Sequence, residues 1–428
     1  MQRMQARHLQ APRHWLTPAF VAALAAATAC GARADEPSPY YIGASAAVTR
    51  NSNVFQQANA SAQGDTYYSA GLLAGIDQMW GRQHLYANGS IASNRYQDFK
   101  QLDNTSYDLA AGLDWATIEK LSGTLRYDVR QGLVNYADAN LLNATTLTTK
   151  DLQRTQQLNA SARYGSVPGF AVDGGLTHRR VDFSAVEDRR DYSQDVGRLG
   201  VLWGKSDLLT LGLGGRWTEG DYPQAVIKAA IPEIPATPTT PFAPRQDAEF
   251  GHDKSKRRDV DFTAKWSPSG VSVISGRISL TRETHSQPTI PTFSGVTGSI
   301  GWAYKPAGRL SYNALLSRDT ASENTFATLP VGSAPVRVNN DRLTTVAALS
   351  AIYELTAKTS LNAQYRHDSG SVFSVDGTSG HSSTDNIGLG VLYNPTRHIT
   401  LACNISHESR SSVYKTNLAT CTAQFVLR

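Results

Sequence analysis

Leu121-Ser122-Gly123-Thr124-Leu125-Arg126-Tyr127-Asp128-Val129-Arg130 is the stretch whose reading decides the fold. Its odd positions are Leu, Gly, Leu, Tyr and Val, and its even positions are Ser, Thr, Arg, Asp and Arg. Successive side chains of a strand point to opposite faces, so the segment is apolar on one side and charged on the other. The pattern recurs. Tyr107, Leu109, Ala111, Leu113 and Trp115 alternate with Ser106, Asp108, Ala110, Gly112 and Asp114; Val260, Phe262, Ala264 and Trp266 alternate with Asp259, Asp261, Thr263 and Lys265. Eighteen such segments begin near residues 40, 66, 83, 105, 121, 154, 169, 192, 207, 257, 271, 294, 309, 342, 358, 384, 397 and 413. Sixteen is the alternative count. Helical periodicity is absent beyond the first 34 residues.

The connections sort into two alternating classes. Eight are short, as at Trp80-Gly81-Arg82, and nine are long, including 131–153, the Pro-rich 220–256, 321–341 and 370–383. Short turns at one end and long loops at the other describe an up-and-down transmembrane barrel, with the short turns periplasmic and the long loops extracellular. An aromatic precedes each short turn: Trp80, Trp115, Tyr164, Trp203, Trp266, Tyr304, Tyr353 and Tyr393, each on its strand's apolar face. Trp and Tyr rings settle at a membrane–water boundary, so the eight read as a periplasmic aromatic girdle. The fold class is therefore all-β, a transmembrane antiparallel barrel. Only helices or closed barrels satisfy every backbone N–H and C=O within hydrocarbon.

The chain has 428 residues, 41 Lys+Arg and 36 Asp+Glu. Residues 1–34 contain Arg3, Arg7, Arg13 and Arg33 and no acid, so 37 bases face 36 acids in the remainder. That balance speaks against a nucleic-acid partner. The basic start, the apolar run Trp15–Ala29 and Ala32-Arg33-Ala34 have the form of a signal peptide over 1–34, with lipoprotein processing at Cys30 as the rival. The barrel then occupies 35–428, with 220–256 as a long extracellular loop, and the destination is the outer membrane. No His/Cys cluster has metal spacing and no Gly-rich phosphate loop opens a helix, so no cofactor is expected.

The polar face carries Arg126, Asp128, Arg130, Arg163, Arg179, Arg198, Arg216, Lys265, Arg277 and Arg366, with Asp108, Asp114, Asp173, Asp259 and Asp261. Such residues tune which solute passes a pore, or they pair across strands and brace its wall. At the end of the Pro-rich stretch, Lys254, Lys256, Arg257 and Arg258 suit an anionic polysaccharide or lipopolysaccharide, or a solvated rim. Cys403 and Cys421 oppose each other if the last hairpin centres near Ser412; a bridge and two free thiols are both open in an oxidising compartment. His407, Ser409 and Asn417 resemble the His-x-Ser plus Asn set of outer-membrane phospholipase, in which Ser is the nucleophile and His the base.

Both ends of the barrel resemble a family. Tyr40 to Thr49 followed by Arg50-Asn51-Ser52-Asn53-Val54-Phe55 is similar to the "strand, then D-N-[VL]-F" opening of the β-barrel porin family of exopolysaccharide-export operons (exosortase-associated, EpsL-like), with Ser52 where Asp is common. Asn394-Pro395-Thr396-Arg397 and His407-Glu408-Ser409-Arg410-Ser411 resemble its closing segment. The resemblance implies an outer-membrane component of exopolysaccharide synthesis or export. Its partners would be lipid and lipopolysaccharide, the barrel-assembly machinery, exopolysaccharide and periplasmic export proteins. Phe425 and Leu427 keep the parity of an assembly signal, but Arg428 follows them. The expected function is a polar, mixed-charge conduit, not an enzyme; the alternatives are a non-conducting anchor for secretion partners and the phospholipase-like hydrolase.

Overall fold

The computed structural model describes residues 38–137, 147–185, 189–228, 249–290, 292–320, 343–373, 379–411 and 413–428. Residues 1–34, read above as a signal peptide, Cys30, Ser412 and the centres of several long loops lie outside these. The strands are β1 (Tyr40–Asn51), β2 (Asp65–Trp80), β3 (Gln83–Tyr96), β4 (Asn104–Ala116), β5 (Leu121–Leu133), β6 (Leu152–Gly165), β7 (Gly169–Phe183), β8 (Tyr192–Ser206), β9 (Leu209–Lys228), β10 (Glu249–Ser269), β11 (Ser272–His285), β12 (Phe293–Tyr304), β13 (Leu310–Asp319), β14 (Thr344–Glu354), β15 (Thr359–Phe373), β16 (Ser379–Thr396), β17 (Ile399–Arg410) and β18 (Tyr414–Leu427). Each pairs antiparallel with its chain neighbours, and β1 pairs with β18 from Ile42↔Leu427 to Asn51↔Leu418, so the 18-stranded sheet closes on itself. Among the described residues no helix is long and apolar enough to cross a membrane.

Parity does the sorting. Leu213, Leu280, Val296, Ile300, Leu349 and Leu389 stand exposed on the outer face, while Thr49, Ser279, Thr297 and Thr344 on the other parity are buried inside. A soluble protein of this size would bury such leucines. Here their exposure is the surface that lipid covers, and strands of 10 to 21 residues are long enough to cross it with tilt. One of the two-residue turns, Gly81–Arg82, joins β2 to β3 with Gly81 at φ 61°, the left-handed region that tight hairpins favour.

Three features differ from the sequence reading. The connection expected over 370–383 is shorter, because pairing of β15 with β16 continues to Phe373↔Ser379. The Pro-rich connection is narrower than 220–256, because β9 continues to Lys228 and β10 begins at Glu249. Pro223 is held inside β9 where pairing steps from Tyr222↔Asp253 to Ala225↔Gly251, so two residues oppose one in a bulge. A residue without an N–H is tolerated where the ladder is interrupted. The link between β17 and β18 is not long either: only Ser411–Val413 intervene.

At the long-loop rim one device repeats. Asp65 accepts backbone N–H bonds from Asp98 and Phe99, Asp151 from Ser184 and Ala185, and Asp253 from Ser286 and Gln287. In each case a carboxylate at the long-loop end of a hairpin's first strand ties down the segment that leaves its second strand. Asp103, in the β3–β4 loop, accepts the Tyr96 N–H and pairs with Arg95 at 3.1 Å; these bonds hold its carboxyl below the usual range. The first three long loops also share an apolar cluster, with Phe55 edge-on to Phe99 at 5.1 Å and to Tyr136 at 5.3 Å over buried Val54 and Leu102.

The lipid-facing assignment predicts an asymmetry within β16 and β17. Leu389→Arg, on the outer face, is expected to cost about 2–4 kcal/mol. Ser406→Arg, on the inner face of the neighbouring strand, is expected to cost under about 1 kcal/mol, because that side chain can reach water. Denaturant titration of refolding into lipid vesicles measures both; equal losses would refute the assignment.

Candidate functional site: the charged inner wall

The inward face divides into two regions of different character. Along β9, β10, β11 and β13 three arginines and three aspartates interlock. Arg257 pairs with Asp259 and Asp319, each at 2.8 Å. Arg277 pairs with Asp319 at 2.5 Å and lies 3.8 Å from Asp261. Arg216 reaches Asp261 at 3.3 Å and Asp259 at 3.4 Å. Thr281 and Ser279 donate to Asp259 and Asp261, and Arg257 donates to Thr320, Thr281 and Thr297. The side chains of Arg257 and Asp259 are 1% and 0% exposed. Charges this deep must be paired and hydrogen-bonded, and the three-plus-three composition cancels locally.

Along β4 to β6 the same parity is open to solvent. Arg126 pairs with Asp128 at 2.8 Å and Arg130 with Asp108 at 2.5 Å, with half or more of each arginine exposed. Arg366 pairs with Asp368 at 2.7 Å on β15. Exposed Arg163, Arg198 and Lys265 make no ion pair among the described residues, although Asp173 faces Arg163 across the ladder. Arg179 is buried on the inner face of β7. Asp114 lies 3.5 Å from His84. All ten lumen candidates and the five aspartates beside them thus have inward parity, but only some border open space.

Sequence reasoning grouped Arg257 with Lys254, Lys256 and Arg258 as one basic run at the end of the Pro-rich stretch. The register separates them. Arg257 has the parity of Asp259 and points inward, whereas the other three point outward with Val260 and Phe262. Counting back in twos from Trp266 carries this signal. Asp319 and Thr320, which complete the cluster, stand beside a stretch with no periodicity to mark them.

The eight aromatics at the short-turn ends all keep outward parity, and Trp80, Tyr164, Trp203, Trp266, Tyr353 and Tyr393 are exposed. Trp302 and Tyr312 extend this rim around Tyr304, at 5.7 Å and 6.2 Å between ring centres. Cys403 and Cys421 are register partners and are disulfide-bonded on the outer face.

The two terminal motifs, distant in sequence, meet because β1 closes on β18. Asn53, fully buried, donates to the carbonyls of Gln57 and Lys415, and the Ser52 hydroxyl accepts the Asn417 N–H. Gln56 donates to Glu408, which also accepts from Tyr414 and Asn386. Val54 and Phe55 fill the loop cluster. The motif residues therefore stitch the seam of the barrel at its long-loop rim. Of the hydrolase set, His407 and Asn417 are 2.7 Å apart, but Ser409 faces Lys415 and makes no hydrogen bond to His407 among the described residues. The nucleophile–base contact that such chemistry starts from is not formed. The described residues contain no cluster of His, Cys, Asp or Glu suited to a metal.

No family model matches the chain, and no curated protein matches its sequence. Among solved structures it is similar to Pseudomonas aeruginosa OpdQ, with 9% identity, 92% of this chain and 99% of that chain covered, and a TM-score of 0.47. It is also similar to Pseudomonas aeruginosa OpdO, with 10% identity, 91% and 96% covered, and a TM-score of 0.47. A third is Pseudomonas aeruginosa OpdK, solved with vanillate, with 10% identity, 91% and 98% covered, and a TM-score of 0.46.

Two outcomes follow from this geometry. Arg257→Ala leaves Asp259 and Asp319 facing each other without their shared cation, and is expected to cost about 3–5 kcal/mol in vesicle refolding titrations; a change below about 1 kcal/mol would show the cluster to be dispensable. Thiol counting on the denatured chain made without residues 1–34 is expected to find no free thiol before reduction and two after it. Two before reduction would exclude the bridge.

Proposed function

We propose that the chain is an outer-membrane channel in which a polar, mixed-charge lumen conducts small hydrophilic solutes. The observation that carries this reading is the division of the wall: leucines exposed outside, charged and hydroxyl side chains inside a closed ring of eighteen strands. A barrel of that strand number is wide enough to hold water between its walls. The interlocked cluster on β9–β13 narrows the charge available to a solute. What remains open is the β4–β8 side with its salt bridges and the exposed Arg163 and Arg198, together with Lys265 toward the short-turn end of β10. Cations without partners in a wet lumen draw anions. The exopolysaccharide-export setting rests on the terminal motifs alone, Asn53-Val54-Phe55 and His407–Ser411. Their role in holding the seam accounts for these residues whatever the solute.

Recording in planar bilayers tests the reading. Stable steps that favour chloride over potassium in a salt gradient are expected, with the preference lost on combining Arg163→Gln, Arg198→Gln and Lys265→Gln. Silence from folded protein would replace the channel with a non-conducting anchor. Loss of surface polysaccharide in a deletion strain would support the export setting, and an unchanged surface would remove it.

A further inference from the structure

On the outer wall, near the long-loop ends of β9, β10 and β11, two arginines face one another across the ladder. Arg258 and Arg282 are register partners with the same outward parity, and both are exposed. Lys256, one outward position further along β10, is exposed too. None of the three makes an ion pair among the described residues. Like charges placed directly opposite on a sheet are destabilising. The nearby acids do not neutralise the pair: Asp221 is engaged by His252 at 2.8 Å and by Lys254 at 3.9 Å, and Glu219 faces Lys256. On the inner face the neighbouring Arg257 and Asp259 satisfy each other.

The surroundings show which anion fits. On the other flank Arg258 faces Trp217, an exposed outward indole. Trp217 lies flat over Gly197 of β8, where any Cβ would collide with the ring. A Trp held in this way marks a membrane–water boundary. One outward step toward the short turns the wall becomes apolar, with Val260 opposite Leu280 and then Phe262 opposite Ile278, all exposed. The guanidinium pair therefore stands where an acyl-covered wall meets the headgroup layer. Guanidinium forks bind phosphate oxygens in a bidentate manner.

We propose that Arg258 and Arg282, with Lys256, bind the phosphate of a phosphorylated lipid in the leaflet on the long-loop side, its acyl chains lying along Val260, Phe262, Ile278 and Leu280. A soluble phosphate would use the cations but not that apolar strip or the tryptophan. The site rests on the wall facing lipid and not on conductance, so silence in the bilayer recordings leaves it standing.

The test uses the whole chain in zwitterionic micelles and follows the midpoint of thermal unfolding. The probes are diphosphoryl lipid A, its dephosphorylated form and inorganic phosphate. Diphosphoryl lipid A alone is expected to raise the midpoint. Arg258→Gln/Arg282→Gln is expected to have an equal or higher midpoint than the parent without lipid, since the repulsion is relieved, and to lose most of the lipid-induced rise. Should the double variant fold poorly, Arg282→Gln alone carries the same expectation at smaller size. Lys415→Gln, outward on β18, should keep the full rise. A full rise in the arginine variants, an equal rise with dephosphorylated lipid, or the whole rise with inorganic phosphate would each overturn the proposal.

Discussion

A sheet in hydrocarbon tolerates no unpaired edge, because each backbone N–H or C=O left without a partner costs several kcal/mol there. The ladder between β1 and β18 meets this constraint, and the rest of the structure follows from it. Closure forces one face of every strand outward into lipid and the other inward. It brings the first and last strands together, so residues more than 350 positions apart, such as Gln56 and Glu408, share hydrogen bonds. It also removes the need for a hydrophobic interior. The apolar cluster around Phe55 sits in loops at the rim, where it orders the segments that the strands leave unsupported.

Inside the ring the governing term is the cost of burying charge. Where the wall is covered, along β9–β13, arginines and aspartates occur in equal number, and every carboxylate has a cation and a further hydrogen-bond donor at hand. Where it is open, along β4–β8, charges stand singly or in exposed pairs worth about 1 kcal/mol or less. The two regions have the same parity and similar composition but different surroundings: the first is packed into the wall, the second stands open to solvent. Outside the ring the sign of the argument reverses. The arginine pair on β10 and β11 makes no ion pair among the described residues, and the headgroup layer is the complement proposed for it.

Strand positions were legible because alternation survives in each segment; Tyr40, Leu121, Gly169 and Tyr192 begin strands where the pattern does. The misjudged boundaries have a common cause. At the long-loop ends of β9 and β10 the residues 220–228 and 249–256 do not alternate apolar with polar, so the pattern fades while backbone pairing continues. Proline reinforced the error, because exclusion from a ladder is a rule for regular pairing and a bulge suspends it.

The amino-acid order by itself settled that the wall has an apolar and a charged face, that aromatics edge the short-turn rim, and which parity each lumen candidate takes. A period of two is a local property and needs no partner to be read. Only the tertiary structure decided which of those charges are buried in a neutral cluster, which stand open, and that Arg258 meets Arg282. Burial and cross-strand register depend on what lies opposite, and that is determined when distant strands pair, not by the strand's own residues.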